Sequence, residues 1–252
     1  MIANFSTNNH KRFFVLFVAL LFVFAGQAAM AQSTIFNIPT TDTVAKGKGY
    51  AEFDFFAQLP KPDGDQGFYY VPRFIAGVGP NLEVGANILV NHVGDFNQAY
   101  FQPNLKWRFV NMDDKGVAAS VGAILYTPIN HRDSGPFTYG LVYGNVSKKV
   151  KTGNYGPRFT AGPYAVTIKD DKWGGPRGGA ILGYEQPIHP KASIVADWYS
   201  GKNGFGYFTP GVSVTVPHNG LFNVGYSIGN DSWADSNATK NRYLFIYYGV
   251  TF

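Results

Sequence analysis

The stretch Leu82-Glu83-Val84-Gly85-Ala86-Asn87-Ile88-Leu89-Val90-Asn91 alternates residue by residue. Leu82, Val84, Ala86, Ile88 and Val90 form a wholly apolar set, and Glu83, Gly85, Asn87, Leu89 and Asn91 form a small or polar set with one exception. Successive side chains of a β-strand point to opposite faces, so a period of two reads as a strand with one greasy and one wet side. Just downstream, Phe101, Pro103, Leu105, Trp107 and Phe109 oppose Gln102, Asn104, Lys106 and Arg108 in the same way.

Working outward from these two stretches, the same test predicts about twelve strands and no helical period. They are Tyr50–Gln58, Phe68–Val78, Leu82–Asn91, Ala99–Val110, Val117–Thr127, Phe137–Val150, Pro157–Ile168, Gly178–Gln186, Ala192–Ser200, Phe205–Val216, Leu221–Gly229 and Tyr243–Phe252. The connections alternate. Gly79–Asn81, Asn111–Gly116, Lys151–Tyr155, Ile188–Lys191 and Pro217–Gly220 are tight, whereas Leu59–Gly67, His92–Gln98, Ile129–Pro136, Lys169–Arg177 and Asn230–Arg242 are longer and polar. Only Gly201–Gly204 breaks the long series.

Two architectures place alternating strands at this spacing: a soluble sandwich or ligand-binding barrel with apolar residues inside, and a membrane barrel with apolar residues outside. If the greasy face were a core, the other face would meet water, and soluble surfaces are about a quarter to a third charged. Here only 15% of the whole chain of 252 residues is charged, 17% is aromatic, and the second face is mainly Gly, Ser, Thr, Asn, Gln and Tyr. In a bilayer every backbone donor and acceptor must be paired within the protein, which a closed sheet of even strand number achieves. Short turns at one end and longer loops at the other fit the same solution. The expected fold is an all-β, transmembrane, antiparallel up-and-down barrel of about twelve strands.

Residues 1–31 are set apart as a signal peptide: Lys11-Arg12 precedes the apolar run Phe13–Ala25, and Ala29-Met30-Ala31 supplies the small-x-small cleavage pattern. Thirteen apolar residues are too few for a helix to cross about 30 Å of hydrocarbon. Losing Lys11 and Arg12 takes the formal charge from +5 to +3, so nothing here asks for nucleic acid. The absence of cysteine excludes disulfides, thiolate metal sites and a cysteine nucleophile. Residues 32–49, with Pro39-Thr40-Thr41-Asp42-Thr43, resemble neither strand nor helix; they are either a free periplasmic tail or a partial plug folded into the lumen. The barrel itself is assigned to residues 50–252.

The C-terminal Tyr243-Leu244-Phe245-Ile246-Tyr247-Tyr248-Gly249-Val250-Thr251-Phe252 puts Leu244, Ile246, Tyr248 and Val250 on one face and ends on an aromatic residue. This resembles the last strand of bacterial outer-membrane β-barrel proteins, porin-like in kind. The resemblance implies a location in the outer membrane of a Gram-negative-type bacterium, contact with its lipid and lipopolysaccharide, and recognition of Phe252 by the outer-membrane assembly machinery. Tyr69-Tyr70, Tyr100-Phe101, Phe137, Tyr139, Trp198 and Phe208 stand near segment ends, where interfacial aromatic girdles are expected.

The alternation also assigns the charges that face inward: Glu52, Asp54, Arg73, Glu83, Lys106, Arg108, Lys148, Arg158, Glu185 and Asp197. Acids and bases fall on neighbouring strands, either as a paired structural ladder or as a transverse field that selects solutes. All but Lys148 are the candidate selectivity residues. The inward glycines Gly85, Gly122, Gly140, Gly162, Gly183, Gly211 and Gly225 leave room in the lumen or relieve crowding of a curved sheet.

An outer-membrane hydrolase is the competing reading, and it needs a histidine. Of His92, His131, His189 and His218, the last two fall in tight turns beside proline, leaving His92 with Asp95 and His131-Arg132-Asp133-Ser134 at the loop end. Gly174-Gly175-Pro176-Arg177-Gly178-Gly179 has no following helix to hold phosphate. Asp170-Asp171, Asp231 and Asp235 suit solvated outer loops better than a calcium site. The reading favoured by the sequence is therefore a non-enzymatic passive channel for small polar or charged solutes, with no cofactor and no metal. A rim hydrolase and a sealed structural or adhesive barrel are the alternatives.

Overall fold

The computed structural model describes residues 33–58, 67–93, 96–133, 136–150, 155–168, 173–233 and 241–252. The signal segment 1–31, Asp95, Ser134, Asp170-Asp171 and Asp235 lie outside the described residues. Twelve strands follow in chain order: β1 (Gly49–Gln58), β2 (Gly67–Gly79), β3 (Leu82–Val93), β4 (Phe96–Met112), β5 (Val117–Pro128), β6 (Tyr139–Lys149), β7 (Arg158–Thr167), β8 (Gly178–His189), β9 (Ala192–Tyr199), β10 (Tyr207–Val216), β11 (Gly220–Gly229) and β12 (Arg242–Thr251). Each pairs antiparallel with the next, and β1 pairs with β12 from Tyr50↔Thr251 to Gln58↔Tyr243, closing the barrel. Closure leaves no strand edge without a hydrogen-bonding partner.

The alternation sorts as the sequence predicts. Phe53, Phe74, Val84, Ile88, Phe101, Leu105, Trp107, Phe109, Val142, Phe159, Leu182 and Val212 are exposed on the outer wall. Water-soluble surfaces rarely carry so continuous an apolar band. Register shifts occur at Gly77/Gly79, Arg108/Val110 and Pro187/His189, all at the short-turn end of their strands. Bulges there tighten the local twist where the chain reverses.

Two features depart from expectation. Of the connection expected over His92–Gln98, the described residues are all strand: β3 and β4 stay paired through His92↔Asn97 and Val93↔Phe96, so the two strands extend the wall. Several aromatics expected in girdles also face inward. Tyr69 and Tyr139 line the lumen cavity, and Tyr100 packs on the interior cluster. A Tyr-Tyr or Tyr-Phe doublet in a strand must place one ring on each face, so only half of each doublet is available to the exterior.

The interior is filled in large part by the N-terminal segment. Ser33–Val44 lies inside the barrel, and Ile35, Phe36, Ile38, Thr40, Thr41 and Val44 are buried there. The segment folds back on itself: Ile35 N–H donates to Ile38 O and Thr40 N–H to Ser33 O, each at 3.0 Å, with a bridge between Thr34 and Pro39. It leaves the lumen beside β2, where Gly47 N–H donates to Gly77 O at 2.8 Å, and then enters β1. Ile35, Phe36 and Ile38 join Leu141, Ile181, Val195, Leu221, Phe245 and Tyr247 in one apolar cluster.

Inward glycines make the space for it. A methyl group at Gly183 would stand 2.7 Å from Cδ1 of both Ile35 and Ile38, and one at Gly225 would stand 2.6 Å from Phe36 Cζ. Gly225→Val is therefore expected to displace Phe36, whose burial is worth about 1.5–3 kcal/mol, while leaving the strands paired. Hydrogen exchange checks this: the amides of residues 33–40 should exchange faster, with the strand amides unchanged.

Candidate functional site in the barrel lumen

All nine candidate selectivity residues lie on the inner face, and the structure joins each of them to a partner. On β1 and β2, Arg73 pairs with Glu52 at 3.0 Å and Asp54 at 3.3 Å, and also donates to Thr34 Oγ1 at 3.1 Å. On β3 and β4, Glu83 and Lys106 pair at 2.9 Å. The N-terminal segment enters this pair directly: Ser33 Oγ and Val44 N–H both donate to Glu83 at 2.7 Å, and Lys106 donates to Ser33 O at 3.1 Å.

Across the lumen, Arg158 holds Glu185 and Asp42 together, and Arg108 lies 3.9 Å from the same Asp42. Asp42 thus ties β4 to β7, on the far side of β5 and β6, through one carboxylate of the segment. Lys148 corrects the inward assignment made for it: it is exposed at the short-turn rim and donates to Lys115 O at 2.7 Å. It stands opposite the exposed Phe159 and on the same face of β6 as Val142 and Val146, so its side chain starts from the outer wall near the strand end.

Asp197 on β9 makes the most unusual contact. Its Oδ2 accepts three successive backbone N–H groups, from Phe36 at 2.9 Å, Asn37 at 2.6 Å and Ile38 at 2.9 Å. A turn whose N–H groups converge makes an anion-binding concavity, and here the anion is a buried wall carboxylate. Asn37 Nδ2 also donates to Thr209 Oγ1 at 2.8 Å. Further anchors are Asn145 to Pro39 O at 2.6 Å, Asn223 to Ile35 O at 3.1 Å, and the Thr41 and Ser147 hydroxyls at 2.6 Å.

These anchors are unequally spread. The tip of the segment is fastened to β6 and to β9–β11, which leaves a cleft of about 410 Å³ on the side of β1–β5. Its loop-end mouth is walled by Tyr69, Tyr126, Tyr139, Tyr243 and Phe205, and below them lie the amides of Asn87, Gln102 and Asn104. The cleft floor is formed by Ser33 and the Glu83–Lys106 pair. Phe205 comes from the connection between β9 and β10 and packs 5.6 Å from Tyr126 and 5.8 Å from Trp173, narrowing the mouth.

Asp42 links this arrangement to pH. Burial works to raise its carboxyl, but the charge and hydrogen bond of Arg158, backed by Lys106 and Arg108, outweigh it and hold the group below its ordinary 3.8. A depressed value in the closed state stabilises that state above the ordinary range and ceases to do so as pH falls through the depressed one. Acidification below 3.8 is therefore expected to loosen the segment, and Asp42→Asn to remove that part of the acid response. Hydrogen exchange of residues 33–46 against pH measures both.

His92 sits within β3 and its Nδ1 hydrogen-bonds Asn97 Oδ1 at 2.5 Å. His131 occupies an exposed turn with φ +53°. Among the described residues no three His, Asp or Glu side chains gather in a way that could hold a metal.

Reading the alternation finds the wall charges but misses what they hold. Asp42, Asn37, Asn145, Ser147 and Thr209 give no signal of their own, although the last three fall at inward positions once register is known. Gln102 and Asn104 are visible in the polar set of β4; their place in a cleft depends on where the segment lies.

No family model matches the chain, and no curated protein matches it. Among solved structures it is similar to an outer membrane channel from Pseudomonas putida F1, with a TM-score of 0.50 and 11% identity over 83% of this chain and 96% of that one. A structure from a study of the in-meso crystallization of membrane proteins aligns over 81% of this chain and 83% of its own, at 12% identity and a TM-score of 0.46. At such identity the first likeness is one of fold.

Proposed function

We propose that the protein resides in the outer membrane of a Gram-negative-type bacterium and acts there as a passive channel for small polar solutes, closed in this state by its own N-terminal segment. The observation that carries this reading is a polar lumen wall whose nine charges all serve, directly or through one neighbour, to hold a separate stretch of chain. A barrel needed only as a scaffold could fill its interior with side chains from the strands themselves. Here the filling belongs to a separate stretch of chain, held by polar contacts with the wall as well as by the packing of Ile35, Phe36 and Ile38.

The apolar outer wall supports the membrane location, because it would be costly in water and is matched to hydrocarbon. With the strands crossing the bilayer, the short turns and both chain ends of the barrel face the periplasm, and the aromatic mouth faces outward. Phe252, exposed beside Phe74 at the closure seam, is free to be read by the assembly machinery before insertion. Single-channel recording in planar bilayers tests the channel reading. A protein silent both with and without residues 32–46 would overturn it and favour a sealed structural barrel.

A further inference from the structure

The cleft beside the segment has a chemistry of its own. Its charged lining residues are Asp54, Arg73, Glu83 and Lys106, two acids and two bases, and all four are ion-paired with one another or with Glu52. Each lining charge is already held in an ion pair, so a charged ligand would have to compete with a wall partner for its counter-charge and would lose its hydration. An entirely apolar ligand would fit no better, because the amides in the middle of the cleft would lose water without a replacement.

Those amides are partly committed and partly open. Asn87 Nδ2 donates to Gln102 Oε1 at 3.2 Å, and Asn104 Nδ2 donates to Asn87 Oδ1 at 3.3 Å. The chain holds the three groups in line, yet Gln102 Nε2 and Asn104 Oδ1 have no partner among the described residues. One donor and one acceptor are thus presented side by side. Above them Tyr126 and Tyr139 lie stacked, with centroids 4.5 Å apart and planes within 8°, and Phe205 stands edge-on to Tyr126. Aromatic faces carry partial negative charge and attract the weakly positive C–H groups of a saturated ring.

Resting on the channel reading, we infer that this cleft is a binding site for a neutral cyclic polyol, a sugar of one or two pyranose rings. The apolar face of such a ring meets the tyrosines at the mouth, and its hydroxyls donate to Asn104 and accept from Gln102 below. A volume of about 410 Å³ falls within the range of small-molecule sites. Neutrality is set by the paired charges, which leave hydrogen bonding as the means of recognition.

The test is isothermal titration calorimetry on the full mature protein in detergent, with D-glucose, maltose, gluconate, glucosamine and benzyl alcohol as probes. Glucose or maltose should bind, with gluconate and glucosamine at least about tenfold weaker, and Gln102→Leu and Asn104→Leu should each weaken sugar binding about tenfold. Retention of the slow heat-induced gel shift of a closed barrel shows that each variant is folded, and two variants guard against loss of one. Binding of benzyl alcohol without sugar, equal binding of charged and neutral sugars, or no heat from any probe would overturn the inference. Calorimetry needs no open pore. Sugar binding by a barrel silent in bilayers would overturn the channel reading alone, and conductance without sugar binding would overturn the site alone.

Discussion

Deleting residues 32–46 is expected to turn a barrel of low conductance into one with large, stable, stepwise currents, a rise of about tenfold or more. Twelve strands about 4.8 Å apart and tilted about 40° close into a backbone cylinder roughly 24 Å across, which leaves an opening on the order of 10 Å after inward side chains are counted. That opening is where Ile35, Phe36 and Ile38 now sit, each no more than 1% exposed. The deletion also removes Asp42 and leaves five inward acids, Glu52, Asp54, Glu83, Glu185 and Asp197, against four bases, Arg73, Lys106, Arg108 and Arg158. With charges so nearly balanced, the open form should prefer cations only weakly. Arg73→Ala in the deleted protein should strengthen that preference, because it frees Glu52 and Asp54 together. Reversal potentials in a salt gradient measure both effects, and an anion-selective pore would contradict the inward assignment.

The barrel was legible because its strands carry two kinds of surface. Where the wall carries an apolar band on its outer side and a polar lumen on its inner side, hydrophobicity must alternate, and Leu82–Asn91 and Phe101–Phe109 do so almost without exception. Where the wall rises beyond the apolar band, both faces are polar and the period disappears while the hydrogen-bond ladder continues. Asn91, His92, Asn97 and Gln98 therefore read as a loop although they remain paired in β3 and β4. The same limit explains the lumen. Side-chain alternation places Glu83, Lys106 and Asp197 on the inner face, but their partners are a serine hydroxyl and backbone N–H groups of an aperiodic segment. A backbone donor leaves no mark in an amino-acid sequence. Gly225 and Gly183 were visible as inward gaps, yet only the position of Phe36, Ile35 and Ile38 shows what the gaps receive.

Asp197→Ala is expected to release the segment without opening the barrel wall. In the intact protein one carboxylate oxygen accepts the Phe36, Asn37 and Ile38 N–H groups at 2.6–2.9 Å, in surroundings where Asp197 is 1% and Phe36 1% exposed. Hydrogen bonds to a charged acceptor contribute about 1.5–3 kcal/mol each, and a buried donor left unpaired carries a further cost. The three share one acceptor and are not additive, so a total of about 3 kcal/mol is the sound expectation, roughly a hundredfold shift from closed to open. The chain contains no cysteine, which permits a clean readout. In an Ile35→Cys background the thiol replaces a side chain with 0% exposure, and its reaction with a water-soluble maleimide proceeds only from the released state. Labelling should accelerate about a hundredfold when Asp197→Ala is added. Glu185→Gln is the matched comparison: it weakens one side of Arg158 but leaves Asp42 on the other, and should change labelling only a few-fold. Equal rates with and without Asp197 would mean that the apolar contacts of Ile35, Phe36 and Ile38 hold the segment alone, and that the carboxylate neutralises the turn without latching it.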